Sequence, residues 1–542
     1  MVVSIASTKP SADQDKSIQS RFDEYSNADQ IVLDRGRLCA KYTKPHILPP
    51  KEQTPDSMLP QGFQSEGPLG TTNLEGKMLL ALFPPEQPWF ELALDGEIQY
   101  DERIEYERKQ QWSQMLWLRE LLIQSLLESA GIDGGGNRRP AGFRSQMRSA
   151  IAQLLVTGDT LFQITDDYRI KVFSRNQYVT RRDSCGDVLE HAIKECIDPL
   201  SLSDEQLRMA DIKREEMEDK SPLSRLTDIY THVEWHPRSK RWVTRQEVNK
   251  KAIVEPVEEE ISAFNGVPFD LVPTEHYGRG YIEPNLGTLR TLDVLMERLI
   301  HFSCLASENK TCVDRASMVR DEDLTGNPGK IIRGARVVGG EVQDIAILKA
   351  NNLGDFSVVN AVVERQAKNA GRAFLMESEN QPRGERVTAY QIARIAMELE
   401  GAMGGLYAPV ADYLQIPMIR RINYQIERDA LSAPLPKEGY KVRALTGIAA
   451  LGRSTSRDRL LTFAQALAAI PPQAMPFINV GVFAQVLARY NNLYEPGLVK
   501  TEEERQAEMQ QAIAAQTQLA AGQKAVDVAG NVAEASMTQG AQ

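Results

Sequence analysis

Apolar residues spaced three and four apart predict long helices at several points in this chain, separated by shorter alternating runs. From Ile104 to Ala130 the stripe runs through Trp112, Met115, Leu116, Leu118, Leu121, Leu122 and Leu126, and it ends at Gly131 ahead of a Gly134-Gly135-Gly136-Asn137 loop. A second helix is predicted over Phe143 to Val156, stopped at Thr157-Gly158-Asp159, with Asp159 read as a turn or cap residue. Alternation at 161–164, 168–173, 177–180, 228–234, 242–247 and 268–273 predicts strands, while the highly charged stretch 204–220 reads as an exposed helix or a mobile loop. Helical spacing returns over 280–306 (Leu286, Leu289, Leu292, Leu295, Met296, Leu299, Ile300) and over 355–374 (Phe356, Val359, Val362, Val363, Ala367). Between these two helices lie four strand-like pieces, 310–313, 330–332, 336–338 and 345–348, set apart by the turn signals Gly326-Asn327-Pro328-Gly329 and Gly339-Gly340. The fold class is α+β, predominantly helical.

The next stretch is unusual. Residues 377–384 are polar and broken by Pro382 and Gly384, so they have nothing to bury. Thr388 with Gln391 forms a capping box, in which side chains satisfy the first free amides of a helix. A stripe then runs through Ile392, Ile395, Leu399, Met403, Leu406, Val410 and Leu414, yet the same stretch holds Gly401, Gly404, Gly405 and Pro409. Each glycine costs about 1 kcal/mol against alanine, and a proline removes a hydrogen bond. A single kinked helix over 387–430 is the expectation. Further helices are predicted at 419–431, 457–470 and 476–490. The Ala/Gln-rich end, 501–542, is helical to about Ala521 and too poor in large apolar residues to form a core, and residues 1–20 are a disordered lead.

Composition narrows the function. Hydrophobic residues at 42% and charged residues at 25% describe a globular protein, and no apolar run approaches the roughly 20 residues of a membrane helix. The N-terminus lacks the basic start and apolar core of a secretory signal. Cys39, Cys185, Cys196, Cys304 and Cys312 are scattered without a CxxC spacing and read as buried thiols in a reducing cytoplasm. His232 and His236 share one face of a strand, a metal-pair reading set against ordinary packing. GxxxxGK[ST] does not occur: the pairs Gly76-Lys77 and Gly329-Lys330 are followed by Met78 and Ile331. GxSxG and HExxH are missing too, so neither an active site nor a cofactor is expected. The net charge of −11 speaks against a tight nucleic-acid binder, though it does not argue against a ring through which DNA slides without sticking. Tyr42, Trp89 and Phe90 are rings that could stack on bases, but the last two lie in an apolar context and are read as core residues.

A resemblance adds to this. Glu385-Arg386-Val387-Thr388-Ala389-Tyr390-Gln391-Ile392, continued through the glycine-containing stretch to Val410, resembles a signature of the head-to-tail connector (portal) proteins of T-seven-like short-tailed bacteriophages. Four more blocks in the same order carry it: 37–45, 73–85, 154–160 and 276–283. The resemblance implies a portal fold with wing (21–280), stem helices (281–309 and 354–376), a strand-rich clip (310–353), a tunnel loop (377–386), a kinked wing helix (387–430) and a crown (431–500). It implies a homododecameric ring at one capsid vertex, a channel for packaging and ejecting double-stranded DNA, located in the virion after assembly in the host cytoplasm, with no membrane contact. The implied partners are the large terminase ATPase, tail adaptor and tail tube proteins, and scaffolding, major capsid and internal core proteins. On this reading Arg383, Gly384 and Arg386 belong to the tunnel loop, the alternative being a solvated loop. Lys368 and Arg372, with Arg298 and Arg365, face the channel or pair with Glu297 and Glu364 of a neighbour. Lys330, Arg333 and Arg336 lie in the clip, where strand alternation puts Lys330 and Arg336 on one face and Arg333 on the other. A scaffold or adaptor of another large assembly, with no DNA channel, is the alternative function.

Overall fold

The computed structural model describes residues 17–53, 57–85, 88–94, 102–130, 142–219, 221, 224–307, 310–324, 331, 333–343, 345–348, 353–376, 389–432, 434–435, 440–445, 462–463, 465 and 483–484. The chain divides into two units, 1–448 and 449–542. In the second, the rings of Phe463 and Phe483 lie 6.2 Å apart; all else concerns the first. The predicted helices at 457–470 and 476–490 and the tail lie almost wholly outside the described residues.

The first unit opens with α1 (Ile18–Ala28), whose Ser17 hydroxyl accepts from the Ser20 amide at 3.2 Å, followed by α2 (Gln30–Lys41), α3 (Glu66–Leu82), β1 (Phe90–Leu94) and α4 (Glu102–Ser129). Helix α5 (Phe143–Thr157) stops where Gly158 turns left-handed at φ 83°, and β2 (Asp159–Ile164) and β3 (Ile170–Phe173) follow. Next come β4 (Tyr178–Arg182), β5 (Val188–Ile197), the short α6 (Asp204–Met209) and α7 (Arg214–Glu218), then β6 (Thr227–His236), β7 (Arg241–Val248), β8 (Lys251–Glu259) and β9 (Phe264–Pro268). Strands β4 to β8 form a five-stranded antiparallel meander, and β2 pairs between β3 and β9 in a second antiparallel sheet. Asn249 (φ 52°) and Lys250 (φ 63°) make the two-residue turn from β7 to β8, both left-handed as a type I′ hairpin requires. Pro256 sits in β8, which is an edge strand and so loses no ladder bond inside the sheet. The strand predicted at 268–273 is instead β9: Pro268 ends it, and the following backbone is irregular apart from a bridge between Asp270 and Arg279.

Helix α8 (Ile282–Ser307) leads into β10 (Lys310–Val313), α9 (Asp321–Leu324), β11 (Val337–Val338), β12 (Glu341–Val342) and β13 (Ile345–Leu348); β10 pairs with β13, and β11 with β12. The chain then returns as α10 (Leu353–Ala373), packed on α8. In place of one kinked helix, the chain forms α11 (Ala389–Ala402) and α12 (Tyr407–Arg428). Gly404 (φ 61°) and Gly405 (φ 89°) break the helix outright, and the Gly405 amide closes back on the Glu400 carbonyl at 3.1 Å. The Glu400 carboxylate accepts from the Ala408 amide at 3.1 Å, so it caps the second helix across the break. Pro409 falls in the first turn of α12, where its missing N–H has no helical partner to lose. The apolar stripe survives the break: Ile392, Ile395, Leu399, Met403, Val410 and Leu414 are all buried. Thr388 lies outside the described residues.

The core is one large cluster to which α12, α3, α5 and the sheet of β2 all contribute, with α12 packed on α4, β9 and β2. Met418, Ile419, Ile422 and Ile426 of α12 are fully buried beside Leu74, Met78, Ile151 and Leu155. Trp89 and Phe90 are core residues, as their apolar context predicts, and Tyr42 is buried as well. A last strand, β14 (Tyr440–Ala444), pairs antiparallel with β1, Phe90 opposite Ala444. Of the five thiols only Cys39 is buried; Cys185, Cys196, Cys304 and Cys312 are exposed because they sit on solvent faces or strand ends. That corrects the sequence reading.

Asp159 is also a correction, since it is the buried anchor of a polar network and no surface cap. Its carboxylate accepts from the Tyr178 hydroxyl at 2.9 Å and lies 3.8 Å from Arg182. Burial pushes the carboxyl up from its ordinary value, opposed by Arg182 and Arg175. Arg175 is 1% exposed; it donates to the Tyr178 carbonyl at 2.9 Å and lies 3.7 Å from the Tyr277 ring centre. Tyr277 donates to Asp29 at 2.6 Å, and Asp29 is also held by Arg181 at 3.0 Å. At the far end, Glu190 receives Tyr25, Arg21 and His232 at 2.7–2.8 Å, which fixes α1 on the meander. His232 is thus a packing partner, while His236 stands at the strand end, 3.7 Å from Glu234.

These contacts predict a pH effect. Burial alone would raise the Glu190 carboxyl, but the bonds from His232, Tyr25 and Arg21 bring it from 4.5 down to about 2. A folded value below the unfolded one gives stability that is complete above about pH 4.5 and is lost as pH falls toward 2. Glu190→Gln is expected to cost about 2 kcal/mol at pH 7, the scale of hydrogen bonds to a charged group. The gap from wild type should shrink below pH 4.5 in denaturant titrations; a constant gap would refute the assignment.

Candidate DNA-channel surface

Helices α8 and α10 bury few of their residues. Leu289 and Leu292 of α8 and Val363, Ala370 and Phe374 of α10 are covered, yet Val294 and Ile300 remain 44% exposed. On α10, Val358 is 63% and Val362 40% exposed, although of the residues one further on, Val359 is half-buried and Val363 buried. Further along α10 lies a basic strip. Arg365, Lys368 and Arg372 are exposed and spaced three and four apart, so they share a face directed away from the buried stripe. Arg298 is exposed on α8, and Glu364 accepts from Asn360 at 2.8 Å. Val358 and Arg365, two turns apart, lie on nearly the same face, so the exposed face of α10 is apolar in its first half and cationic in its second.

The small sheets between α8 and α10 add apolar surface at Met318, Ile331, Val337, Val338 and Val342. Arg333 and Arg336 are both exposed there, but the alternation argument fails: Gly334 is left-handed at φ 92° and residues 333–336 are irregular, so no strand sets two faces. Lys330 lies outside the described residues, as do Arg383, Gly384 and Arg386 and the whole of 377–388. Gly401 and Gly404 have nothing within 4 Å of where a Cβ would stand, so this side of the break is open in the protomer.

The end of α10 is built with care. The Met376 amide bonds the Gly371 carbonyl at 2.8 Å and the Leu375 amide the Arg372 carbonyl at 3.1 Å, a Schellman closure with Leu375 left-handed at φ 53°. Helix α3 grips this end. Gly70 faces Phe374 so closely that a Cβ would sit 2.4 Å from the ring. Asn73 donates to the carbonyls of Phe374 and Leu375 at 2.9 and 3.0 Å. Lys77, its side chain 1% exposed, reaches the Leu375 carbonyl at 3.1 Å and Glu398 of α11 at 3.4 Å. Burial lowers the Lys77 ammonium from its ordinary value, and Glu398 opposes that shift. Tyr281 donates to the Ala373 carbonyl at 2.7 Å.

The sequence blocks at 37–45, 73–85, 154–160 and 276–283 meet in pairs. Lys44 bonds both oxygens of buried Glu75 at 2.7 Å, joining the first two. Gly158 joins the others: a Cβ on it would lie 2.4 Å from the Gly278 carbonyl and 2.5 Å from the Gly280 amide, so three glycines permit one backbone crossing. Sequence reasoning missed both the α3 grip and the Asp159 network. The only available signals were Gly158, Gly278 and Gly280 and the lysine of Gly76-Lys77, examined as a nucleotide motif.

Among the described residues no group of His, Cys, Asp and Glu could hold a metal, and no helix is long and apolar enough to cross a membrane. A helical hairpin with apolar and basic exposed stretches, tipped by small sheets, is the setting for the comparisons. The sequence profile described as bacteriophage head to tail connecting protein matches residues 15–493, and the chain belongs to that family. The portal protein of Enterobacteria phage T3 is 29% identical over 511 residues, covering 91% of this chain and 90% of its own. That of Escherichia phage T7 is 29% identical over 515 residues, with the same coverage. The portal protein of Enterobacteria phage SP6 is 26% identical over 543 residues, 97% of this chain and 98% of its own. A chain from the virion of a native gene transfer agent particle is 9% identical with a TM-score of 0.37, covering 83% of this chain and 92% of its own, a likeness too slight to carry an argument. Membership of the connector family decides against a scaffold or adaptor of some other assembly.

Proposed function

We propose that twelve copies of this chain close into a ring at one capsid vertex, with a central channel that carries double-stranded DNA in during packaging and out during ejection. The observation that carries this reading is α10, whose exposed Val358 and Val362 suit a neighbouring copy and whose exposed Arg365, Lys368 and Arg372 suit a lumen. A cyclic ring needs two different surfaces that meet head to tail, so each copy must keep an apolar edge uncovered. The basic strip offers phosphate contacts without a deep binding site, and the net charge of −11 keeps total grip on DNA weak, which favours sliding. On this reading residues 377–386, with Arg383, Gly384 and Arg386, are the tunnel loop. The pieces between α8 and α10, including Lys330, Arg333 and Arg336, form the clip. Force comes from a partner, the large terminase ATPase, which docks on the ring and is later replaced by tail proteins; the capsid, scaffolding and internal core proteins are met on the head side. The chain itself carries no catalytic centre in this scheme and resides in the virion. Negative-stain images of the purified protein are expected to show rings with a central hole. Compact particles without a hole would overturn the proposal.

A further inference from the structure

A buried lysine is rare unless it is paired, and Lys77 is paired with two different elements. Its ammonium holds the Leu375 carbonyl, at the negative end of α10, and the Glu398 carboxylate on α11. In sequence, residues 377–388 fall between Met376, next to the first partner, and α11, which bears the second. Asn73, one turn away on α3, holds the carbonyls of Phe374 and Leu375. Leu375 is meanwhile kept left-handed, a conformation that costs a residue with a Cβ about 1–2 kcal/mol and persists only where surrounding bonds over-determine it. Simple packing would be served by a leucine or methionine at position 77. An ammonium is needed only to bond a carbonyl from one helix and a carboxylate from another at once.

We propose that Asn73 and Lys77 are positioning residues that set the exit of α10 and the entry of α11, and through them the presentation of the tunnel loop to DNA. This rests on the proposed reading of residues 377–386 as that loop. The grip belongs to the protomer, since α3, α10 and α11 all come from one chain, so it acts equally in each copy of a ring.

The test uses the full chain with Lys77→Met, which keeps length and removes charge, and with Glu398→Gln, which spares the α10 contact and guards against a misfolded Lys77 variant. Rings of normal size should form. The amides of Phe374, Leu375 and Met376, bonded to Ala370, Arg372 and Gly371, should exchange at least about tenfold faster in Lys77→Met, while amides of α5 keep their protection. Packaged DNA per head should fall about tenfold or more in Lys77→Met and by a smaller factor in Glu398→Gln. Wild-type exchange, or wild-type packaging despite fast exchange, would overturn the proposal, as would lost packaging with unchanged exchange. Deletion of 378–383 is the control: full packaging after deletion would fault the tunnel-loop reading, and lost packaging there with normal packaging in Lys77→Met would fault only the positioning role.

Discussion

Replacing both exposed valines of α10 (Val358→Asp with Val362→Asp) leaves a folded protomer that no longer closes into rings. The two side chains are 63% and 40% exposed in the single chain, so the protomer loses little by the change and should melt within a few degrees of wild type. On the proposed ring reading the same positions meet a neighbour. Burying the part of the two valines still exposed contributes about 1.5–3 kcal/mol per interface, and placing two unpaired carboxylates in the same contact adds a desolvation penalty. A closed ring repeats that loss at every interface, and one open contact is enough to prevent closure. Sedimentation velocity should show the ring fraction falling by about tenfold or more, with monomer in its place. Rings that persist at wild-type level would show that this edge of α10 faces solvent or lumen and that the neighbour packs elsewhere.

Arg175→Met is expected to be among the most destabilising single changes in the first unit. Arg175 and Asp159 are charged groups inside one sealed network, 1% and 0% exposed. Removing the guanidinium takes away the bond to the Tyr178 carbonyl, the stacking on Tyr277 and one of the two cations that oppose the burial of Asp159. Breaking such a buried set by removing one partner costs about 3–5 kcal/mol, because the remaining charge is left without compensation. The loss should appear as a lower denaturant midpoint and as freer exchange in β2, β4 and α1 together, since the network ties these elements. Adding Asp159→Asn removes the stranded charge and should recover part of the loss. A double variant less stable than Arg175→Met alone would contradict the electrostatic account.

The long helices could be read from the sequence because each has one apolar face sustained over several turns, as in α4, α5, α8 and α10. Strands β5 and β8 escaped that reading. In β5, Glu190-His191 and Lys194-Glu195 come as adjacent polar pairs, so no period of two is visible, although His191 is buried and the others partly covered, and in β8 Pro256 argues against a strand until its edge position is known. The α11–α12 break was foreshadowed by Gly404 and Gly405, but a stripe that runs on through both helices looks the same whether the axis bends or stops. The polar network could not be read at all. Its central bond joins Tyr277 to Asp29, 248 positions apart, and no local pattern marks either residue as buried. The same holds for Lys77, whose partners lie about 300 positions away. On the candidate surface, Lys368 and Arg372 share one face because four residues are about one turn of any helix, whereas Arg333 and Arg336 depended on a strand that Gly334 interrupts.

The pairing of β1 with β14 has a consequence for the order in which the molecule is made. Phe90 to Leu94 find their partners in Tyr440 to Ala444, so the two halves of this ladder leave the ribosome about 350 residues apart. At about 5–20 residues per second that interval lasts roughly 20–70 s. Through all of it β1 presents an unpaired edge carrying Phe90 and Leu92, both of which end up buried. The nascent chain must shelter that edge, or have it sheltered, until almost the whole first unit has been synthesised. A chain cut short before Tyr440 would keep the sticky edge for good.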